Sequence, residues 1–225
     1  MEITLIRHAE PEWVRDGLNV DNPPLTVRGH VQAKLLANSL RGEHFDEVLV
    51  SPLLRTRQTA EPILEVLGHD LVIEPWLEEI RNPIWHGTPV ERAEAAYRAE
   101  REKTSVERWS GLDGGENVAD FVQRINLGCK LFLEERSMVP IGGDLPVWTT
   151  GPKSHRVALI AHAGTNSVVI CHLLGLAATP WEWERFVLGH ASVSRVTSMD
   201  MKDGSSFGVT RLSTLEHLPT EMRTY

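Results

Sequence analysis

Apolar residues in this chain gather in short β-branched runs that alternate with longer stretches of helical period. Ile3-Thr4-Leu5-Ile6 is the first run, of the kind that forms a strand buried on both faces. It ends in Arg7-His8-Ala9-Glu10. Thr26 reads as the cap of a helix to about Leu40, with Val27, Val31, Leu35 and Leu36 as its apolar face. Asp46 to Val50 is a second buried strand. Ser51-Pro52 then reads as an N-cap with proline at the first helical position, opening a helix from Leu53 to Leu67 that Gly68 stops. Asp70 to Pro75 is a further strand. Glu91 to Glu107 and Asn117 to Glu135 are helices, the first highly charged and the second amphipathic. Arg156 to Ala161 is another buried strand, followed by a helix from about Gly164 to Leu174. Ser192 to Met199 and Ser206 to Leu212 form a hairpin around Lys202-Asp203-Gly204.

Strands that alternate with helices predict an α/β fold. The expected form is a three-layer sandwich with a mostly parallel central sheet and helices on both faces, plus a mostly helical insertion from about Arg81 to Gly115. The expected organisation is one domain over residues 1–225. Met138 to His155 is rich in glycine and proline and has no clear period. It reads as a long loop, with a lid and a passive connection both open.

Composition narrows the functional classes. The chain has 225 residues, 41% of them hydrophobic and 24% charged, enough to bury a core without disulfides or metals. Its net charge of −8 argues against nucleic-acid or anionic-membrane partners, which call for basic patches. Any anion it binds must meet a locally positive pocket. Cys129 and Cys171 have no CxxC spacing and read as buried, reduced thiols. The ten histidines form no metal-ligand motif, so no metal and no cofactor are expected. With no signal-peptide pattern and no apolar run of about 20 residues, the expected location is cytoplasmic.

Four segments place chemistry where strands give way to helices or loops, the ligand-binding edge of an open α/β sheet. They are Arg7-His8, the block Ser51 to Ala60 with Arg55 in a first helical turn, Trp76 to Ile80 with Glu78 and Glu79, and Leu159 to Thr165 with His162. Arginine forks suit phosphate oxygens, and histidine serves as nucleophile or proton carrier. Free N–H groups at the helix starting near Gly164 would add to an anion pocket. Arg57 reads as an ion-pairing residue. His86 and His190, with Trp13 and Trp85, are candidates to line the pocket.

Together these segments resemble the histidine phosphatase superfamily, also called the phosphoglycerate mutase-like family. Its opening Arg-His-Gly appears as Arg7-His8-Ala9, and its proline-leucine-threonine segment as Pro24-Leu25-Thr26 with Gly29 and Gln32-Ala33. Ser51, Arg55 and Gln58-Thr59-Ala60 match a further block. Leu77-Glu78-Glu79 fits the acid motif, Gly114-Gly115-Glu116 the glycine turn, His162-Ala163-Gly164-Thr165 the second-histidine motif, and Ala191 to Ser194 a late strand.

The resemblance implies phosphoryl transfer through a phosphohistidine. His8 would attack phosphorus, while Arg7, Arg55, His162 and the Ala163 segment hold its oxygens. Glu79, favoured over Glu78 by motif spacing, would protonate the leaving oxygen and then activate water. The expected partner is a small phosphoester, with a homodimer as the default assembly. Ile80 to Gly87 lacks the tyrosine-glycine and later lysine pattern of the mutases and is closer to the tryptophan-x-glycine of the phosphatase branch. Phosphomonoester hydrolysis is therefore the first reading, with mutase-type transfer and a non-catalytic phosphate-binding module as alternatives. Three departures bear on the last alternative. Ala9 and Ala163 replace glycines, and Val14 stands where many members carry an asparagine. Substrate choice is expected to reside in Arg81 to Thr104 and Met138 to His155.

Overall fold

The computed structural model describes residues 1–141, 143 and 145–225. In chain order the elements are β1 (Glu2–Arg7), β2 (Val14–Arg15), β3 (Leu18–Asn19), α1 (Val27–Ser39), β4 (Glu47–Val50), α2 (Leu54–Leu67) and β5 (Val72–Ile73). They continue with α3 (Val90–Glu102), α4 (Val118–Glu134), β6 (Arg156–Ala161), α5 (Ala163–Leu174), α6 (Glu182–Arg185), β7 (Val193–Asp200) and β8 (Ser205–Thr214). Six strands form one sheet in the order β5-β4-β6-β1-β7-β8. The first four run parallel, and β7 and β8 close the far side as an antiparallel hairpin.

Alternate residues of the central strands feed two cores. Ile3, Leu5, Val157 and Leu159 face α4 and α5, where Phe121, Ile125, Val169 and Leu173 cover them. Ile6, Val48, Val50 and Ile160 face α1 and α2, against Ala33, Leu36, Ala60 and Ile63. The three-layer α/β sandwich is therefore the observed architecture. Its parallel strands end together, bringing the residues after β1, β4 and β6 to one edge. Among the described residues, no helix is long and apolar enough to cross a membrane.

Several local expectations change. α1 has the expected Thr26 cap, whose hydroxyl accepts from Gly29 N at 2.9 Å, but it turns a different face inward. Val27 and Val31 are exposed, and Gly29, Gln32, Ala33, Leu36 and Ala37 are buried. The Gln32 amide explains this rotation. Its oxygen accepts from Glu10 N at 2.8 Å and its nitrogen donates to Met222 O at 2.7 Å, tying the loop after β1 to the chain's last turn.

Ser51 does not cap α2. The helix begins at Leu54, and Asn22 Oδ1 accepts from Leu54 N at 3.0 Å across the structure. The Gly68 stop is left-handed, as expected. The Asp70 to Pro75 strand shrinks to Val72–Ile73, both exposed on the sheet edge, and the charged helix ends at Glu102, short of Glu107.

The Met138 to His155 segment is more anchored than a lid. Trp148 is buried and bridges Pro140 and Ser205, and Glu2 N donates to His155 O at 2.8 Å. Ser205 and Glu2 mark the amino end of β1, so the described residues of this segment sit at the sheet edge opposite His8. That geometry overturns the expectation that this loop shapes the catalytic pocket. Gly142 and Asp144, inside the same segment, lie outside the described residues. The Arg81 to Gly115 segment does meet the catalytic edge. Thr88 and Pro89 pair with Asn19 and Leu18 of the β2–β3 hairpin, and Trp85 N donates to Asp21 at 3.0 Å.

Gly29 is where main chain approaches main chain most closely. A Cβ there would lie 2.2 Å from the Glu10 carbonyl oxygen. Gly29→Ala is expected to cost about 1–3 kcal/mol, since neither backbone can yield cheaply. Urea denaturation measures it, and a change below about 0.5 kcal/mol would mean that the loop after β1 is not pinned against α1.

Candidate active site

β1 delivers Arg7 and His8 to the carboxyl edge, where the backbone is clamped from both sides. His8 N donates to Ala161 O at 3.0 Å, and Ala191 N donates to His8 O at 3.1 Å. Ala191 holds this place with φ +57° in a fully buried position, an uncommon conformation for a residue with a Cβ. The turn it completes aims the preceding His190 at His8, with ring centroids 5.6 Å apart. His162, which caps α5, lies 5.2 Å from His8 on the same measure.

The His8 ring is fixed by a local contact. Nδ1 sits 2.7 Å from the Ala9 carbonyl, which only accepts, so Nδ1 carries the proton. Nε2 keeps its lone pair and accepts from Arg55 Nε at 3.3 Å. Burial, then Arg55, His162, Arg7 and His190, push the His8 pKa well below the usual imidazole value.

Arg55 stands in the first turn of α2, 3% exposed, with Trp13 stacked 4.8 Å from its guanidinium carbon. Arg7 donates to Leu188 O and, through Nη2, to His190 Nε2 at 2.8 Å. Burial lowers both guanidinium pKa values to about 10, against the opposing pull of Glu79, so both remain charged at neutral pH. Among the described residues, Arg7 Nε, Arg55 Nη1 and His162 Nδ1 are buried with no hydrogen-bond partner. Buried polar groups are ordinarily satisfied, and both Arg55 and His162 stand against the His8 ring.

Glu79 and Glu78 point to different tasks. Glu79 Oε2 accepts from Gly164 N at 2.9 Å, and Oε1 accepts from Ile80 N at 3.0 Å. Glu78 is engaged by Arg81, whose Nη2 donates to it at 2.7 Å. The Gly164 amide, expected to be free for an anion, thus holds the Glu79 carboxylate. Ala163, first residue of α5, retains a backbone N–H that the helix itself cannot satisfy.

The remaining sequence candidates separate cleanly. His190 and Trp13 are at the site. Trp85 is buried and packs edge-on against Tyr97, whose hydroxyl accepts from Asn82 Nδ2 at 2.9 Å. Arg57 and His86 are exposed, and among the described residues Arg57 makes none of the ion pairs expected of it. Ala9 is buried in the core, and neither it nor Ala163 has a positive φ, so the added methyl groups strain nothing there. Val14 is exposed in β2.

Residues that sequence reasoning missed lie one step behind the reacting groups. Arg124 donates to the carbonyl oxygens of Glu78 at 2.9 Å and Glu79 at 3.2 Å while its guanidinium pairs with Glu116. Its signal was present, since Glu116 closes the quoted Gly-Gly-Glu turn and Arg124 follows two helical turns later. Thr224 meets His190 Nδ1 at 2.9 Å, a contact 34 residues apart that no local pattern announces. Thr59 accepts from Ala9 N at 3.0 Å, which gives the Gln58-Thr59-Ala60 block a purpose. Among the described residues, no three His, Cys, Asp or Glu side chains gather into a group able to hold a metal ion.

The chain matches the model of a family described as the histidine phosphatase superfamily (branch 1) over residues 3–204. Phosphoserine phosphatase 1 of Hydrogenobacter thermophilus is 37% identical over 142 residues, 60% of this chain and 64% of that enzyme. The match therefore spans less than two thirds of that relative. A protein of Photorhabdus laumondii named probable phosphoglycerate mutase GpmB is 27% identical over 199 residues, covering 87% of this chain and 84% of that one. Among solved structures, the α-ribazole phosphatase of Shigella flexneri shares the fold with a TM-score of 0.70 at 22% identity, covering 95% of this chain and 96% of its own. Mycobacterial glucosyl-3-phosphoglycerate phosphatase shares it with a TM-score of 0.69 at 21% identity, covering 95% and 99%.

Burying neutral histidines gives the fold a pH signature. His8 and His162 lie well below 6.5, and His190 falls to about 3 through burial and then Arg7. Below pH 6.5 the unfolded chain takes up protons that the native state refuses, so stability falls as pH falls toward those lowered values. From pH 7 to 5.5 these three residues are expected to remove about 3–4 kcal/mol. Urea denaturation at the two pH values tests this, and equal stability would mean that the native rings protonate normally.

Proposed function

The chain belongs to the histidine phosphatase superfamily of enzymes, and from that premise we propose that it hydrolyses phosphomonoesters through a phosphohistidine on His8. The observation that carries this reading is the His8 ring, neutral, with Nδ1–H committed to Ala9 and the Nε2 lone pair aimed beside Arg55. Nε2 attacks phosphorus and the P–O ester bond breaks. Arg7, Arg55, His162 and the Ala163 amide hold the phosphoryl oxygens. Positioning and charge neutralisation are the main demands of phosphoryl transfer, and two guanidinium groups supply the charge without a metal.

Glu79 gives its proton to the departing alkoxide, then takes one from water as the water oxygen bonds to phosphorus and the N–P bond breaks. Its closeness to α5, and the diversion of Glu78 to Arg81, support Glu79 as the acid. The substrate is a small-molecule phosphoester, acted on by one catalytic domain. The reading places the enzyme in the cytoplasm, where the free thiols of Cys129 and Cys171 stay reduced. Mutase-type transfer is the second reading, carried by the likeness to the GpmB protein over most of the chain.

Phosphate release from p-nitrophenyl phosphate in EDTA tests the first reading. Wild type is expected to be active, and His8→Ala to lose about a thousandfold or more. Equal rates in the two proteins would remove His8 as nucleophile. Phosphoryl exchange between hydroxyls of a phosphoglycerate, with little release to water, would carry the mutase reading. Ester binding with neither reaction would leave a binding module.

The acid has its own signature. A Cβ on Gly164 would lie 2.5 Å from Glu79 Oε1, so Gly164→Ala displaces the carboxylate while leaving the fold intact. Turnover of an alkyl phosphate is expected to fall about a hundredfold, and formation of the phosphoenzyme from p-nitrophenyl phosphate much less, since nitrophenolate leaves without a proton. Equal losses in the two measurements would argue that Glu79 is not the acid.

A further inference from the structure

Ser51 leaves β4 beside the point where His162 leaves β6, because Val50 and Ile160 are register partners. Its backbone is held firmly. Ser51 N donates to Ile160 O at 3.0 Å, and Thr56 Oγ1 donates to Ser51 O at 2.9 Å. Its hydroxyl lies 2.7 Å from His162 Nε2, with both residues fully buried.

That distance alone leaves two arrangements, the hydroxyl donating to the ring or the ring donating to the hydroxyl. One observation separates them. Among the described residues, the Ser51 hydroxyl has no other hydrogen-bond partner. Were Nε2–H the donor, the hydroxyl proton would be buried with no acceptor, a costly outcome. Among the described residues, the opposite ring nitrogen, His162 Nδ1, is buried with no hydrogen-bond partner, and the ring lies 5.2 Å from His8 between centroids. A neutral imidazole carries one N–H, so the Ser51 contact decides which nitrogen has it.

We propose that Ser51 sets the tautomer of His162: its O–H donates to Nε2, which leaves the ring's proton on Nδ1, where it donates to a phosphoryl oxygen. This rests on the reading of His162 as a phosphate ligand. With the proton on Nε2, the ring would turn a lone pair toward an oxyanion and repel it. Double protonation offers no escape, since burial and then Arg55, Arg7 and Arg124 hold the imidazole neutral. Ser51 is thus a positioning residue that acts through the ring.

The test joins a spectroscopic and a kinetic readout. Nitrogen-15 NMR of the phosphate-free protein, with His162 assigned by substitution, is expected to show Nδ1 protonated and Nε2 bare. Ser51→Ala is expected to move the proton toward Nε2 and to weaken inhibition by orthovanadate about ten- to a hundredfold, the loss of one hydrogen bond to a charged group. Ser51→Thr keeps the donor and is expected to restore both. A wild-type ring protonated on Nε2, or a Ser51→Ala protein that holds orthovanadate as tightly as wild type, would overturn the proposal. Neither outcome touches the His8→Ala result, so failure here is distinct from failure of the hydrolase reading. A merely structural role for Ser51 would lower stability without moving the proton between the two ring nitrogens.

Discussion

A guanidinium group keeps its proton inside a protein, so a buried one must find compensation elsewhere. Two are buried together here, and Arg7 adds to the desolvation that already disfavours the Arg55 charge. Glu79 is the carboxylate that most opposes this in both residues. The rest of the site follows from that unbalanced positive field. Histidines beside it, already disfavoured as cations by burial, are pushed further toward the neutral form, which keeps a lone pair on His8 Nε2. Trp13 covers Arg55 with a π face, and Arg7 spends two donors on Leu188 O and His190. A chain of net charge −8 thus maintains a locally cationic cleft suited to a dianion.

The same field makes the acid's placement delicate. A carboxylate drawn fully onto the arginines would form an internal ion pair and close the cleft. Glu79 is instead held at the side by backbone N–H groups of Gly164 and Ile80, while Arg124 grips the carbonyls of Glu78 and Glu79 from behind. Arg124 needs its own partner to be buried there, and Glu116 supplies it. The turn before Glu116 is tight because a Cβ at Gly115 would meet Arg81 O at 2.9 Å. The Gly-Gly-Glu turn therefore serves the acid from a distance.

How much of this was legible depends on whether the signal is local. β6 matches its sequence expectation residue for residue, because a short apolar run between polar residues has few alternatives. Gly68 reads correctly because a left-handed helix stop favours glycine for a backbone reason. That His8, Arg55 and His162 would come together at the carboxyl edge of the sheet was legible from their places just after strands or in a first helical turn. Ser51 was misread because serine before proline has an equally good local explanation as a helix cap. The deciding contact is with a residue 111 positions away. The inward face of α1 was misread because Gly29 and Gln32 are buried for main-chain and amide contacts that hydrophobicity does not encode. The long loop was placed at the wrong edge because its position depends on β7 running antiparallel to β1, which requires the strand order.

On the proposed reading, the three histidines around the cleft share one protonation pattern and perform different tasks. His8 commits Nδ1–H to Ala9 O and presents a bare Nε2. His190 accepts from Arg7 at Nε2, so its proton lies on Nδ1, facing the Thr224 hydroxyl. His162 meets a hydroxyl at Nε2, and among the described residues its Nδ1 is buried with no partner. In the proposed mechanism, identical rings in the identical tautomer serve as a nucleophile in one case and a donor in the other, according to which edge faces the phosphoryl group. Neutrality alone would not achieve this, because an unconstrained imidazole exchanges its proton between the two nitrogens. The difference between the roles is written in one carbonyl and one hydroxyl, each held by a rigid strand end. Strand register, which fixes where those two groups stand, is therefore as much a part of the chemistry as the histidines themselves.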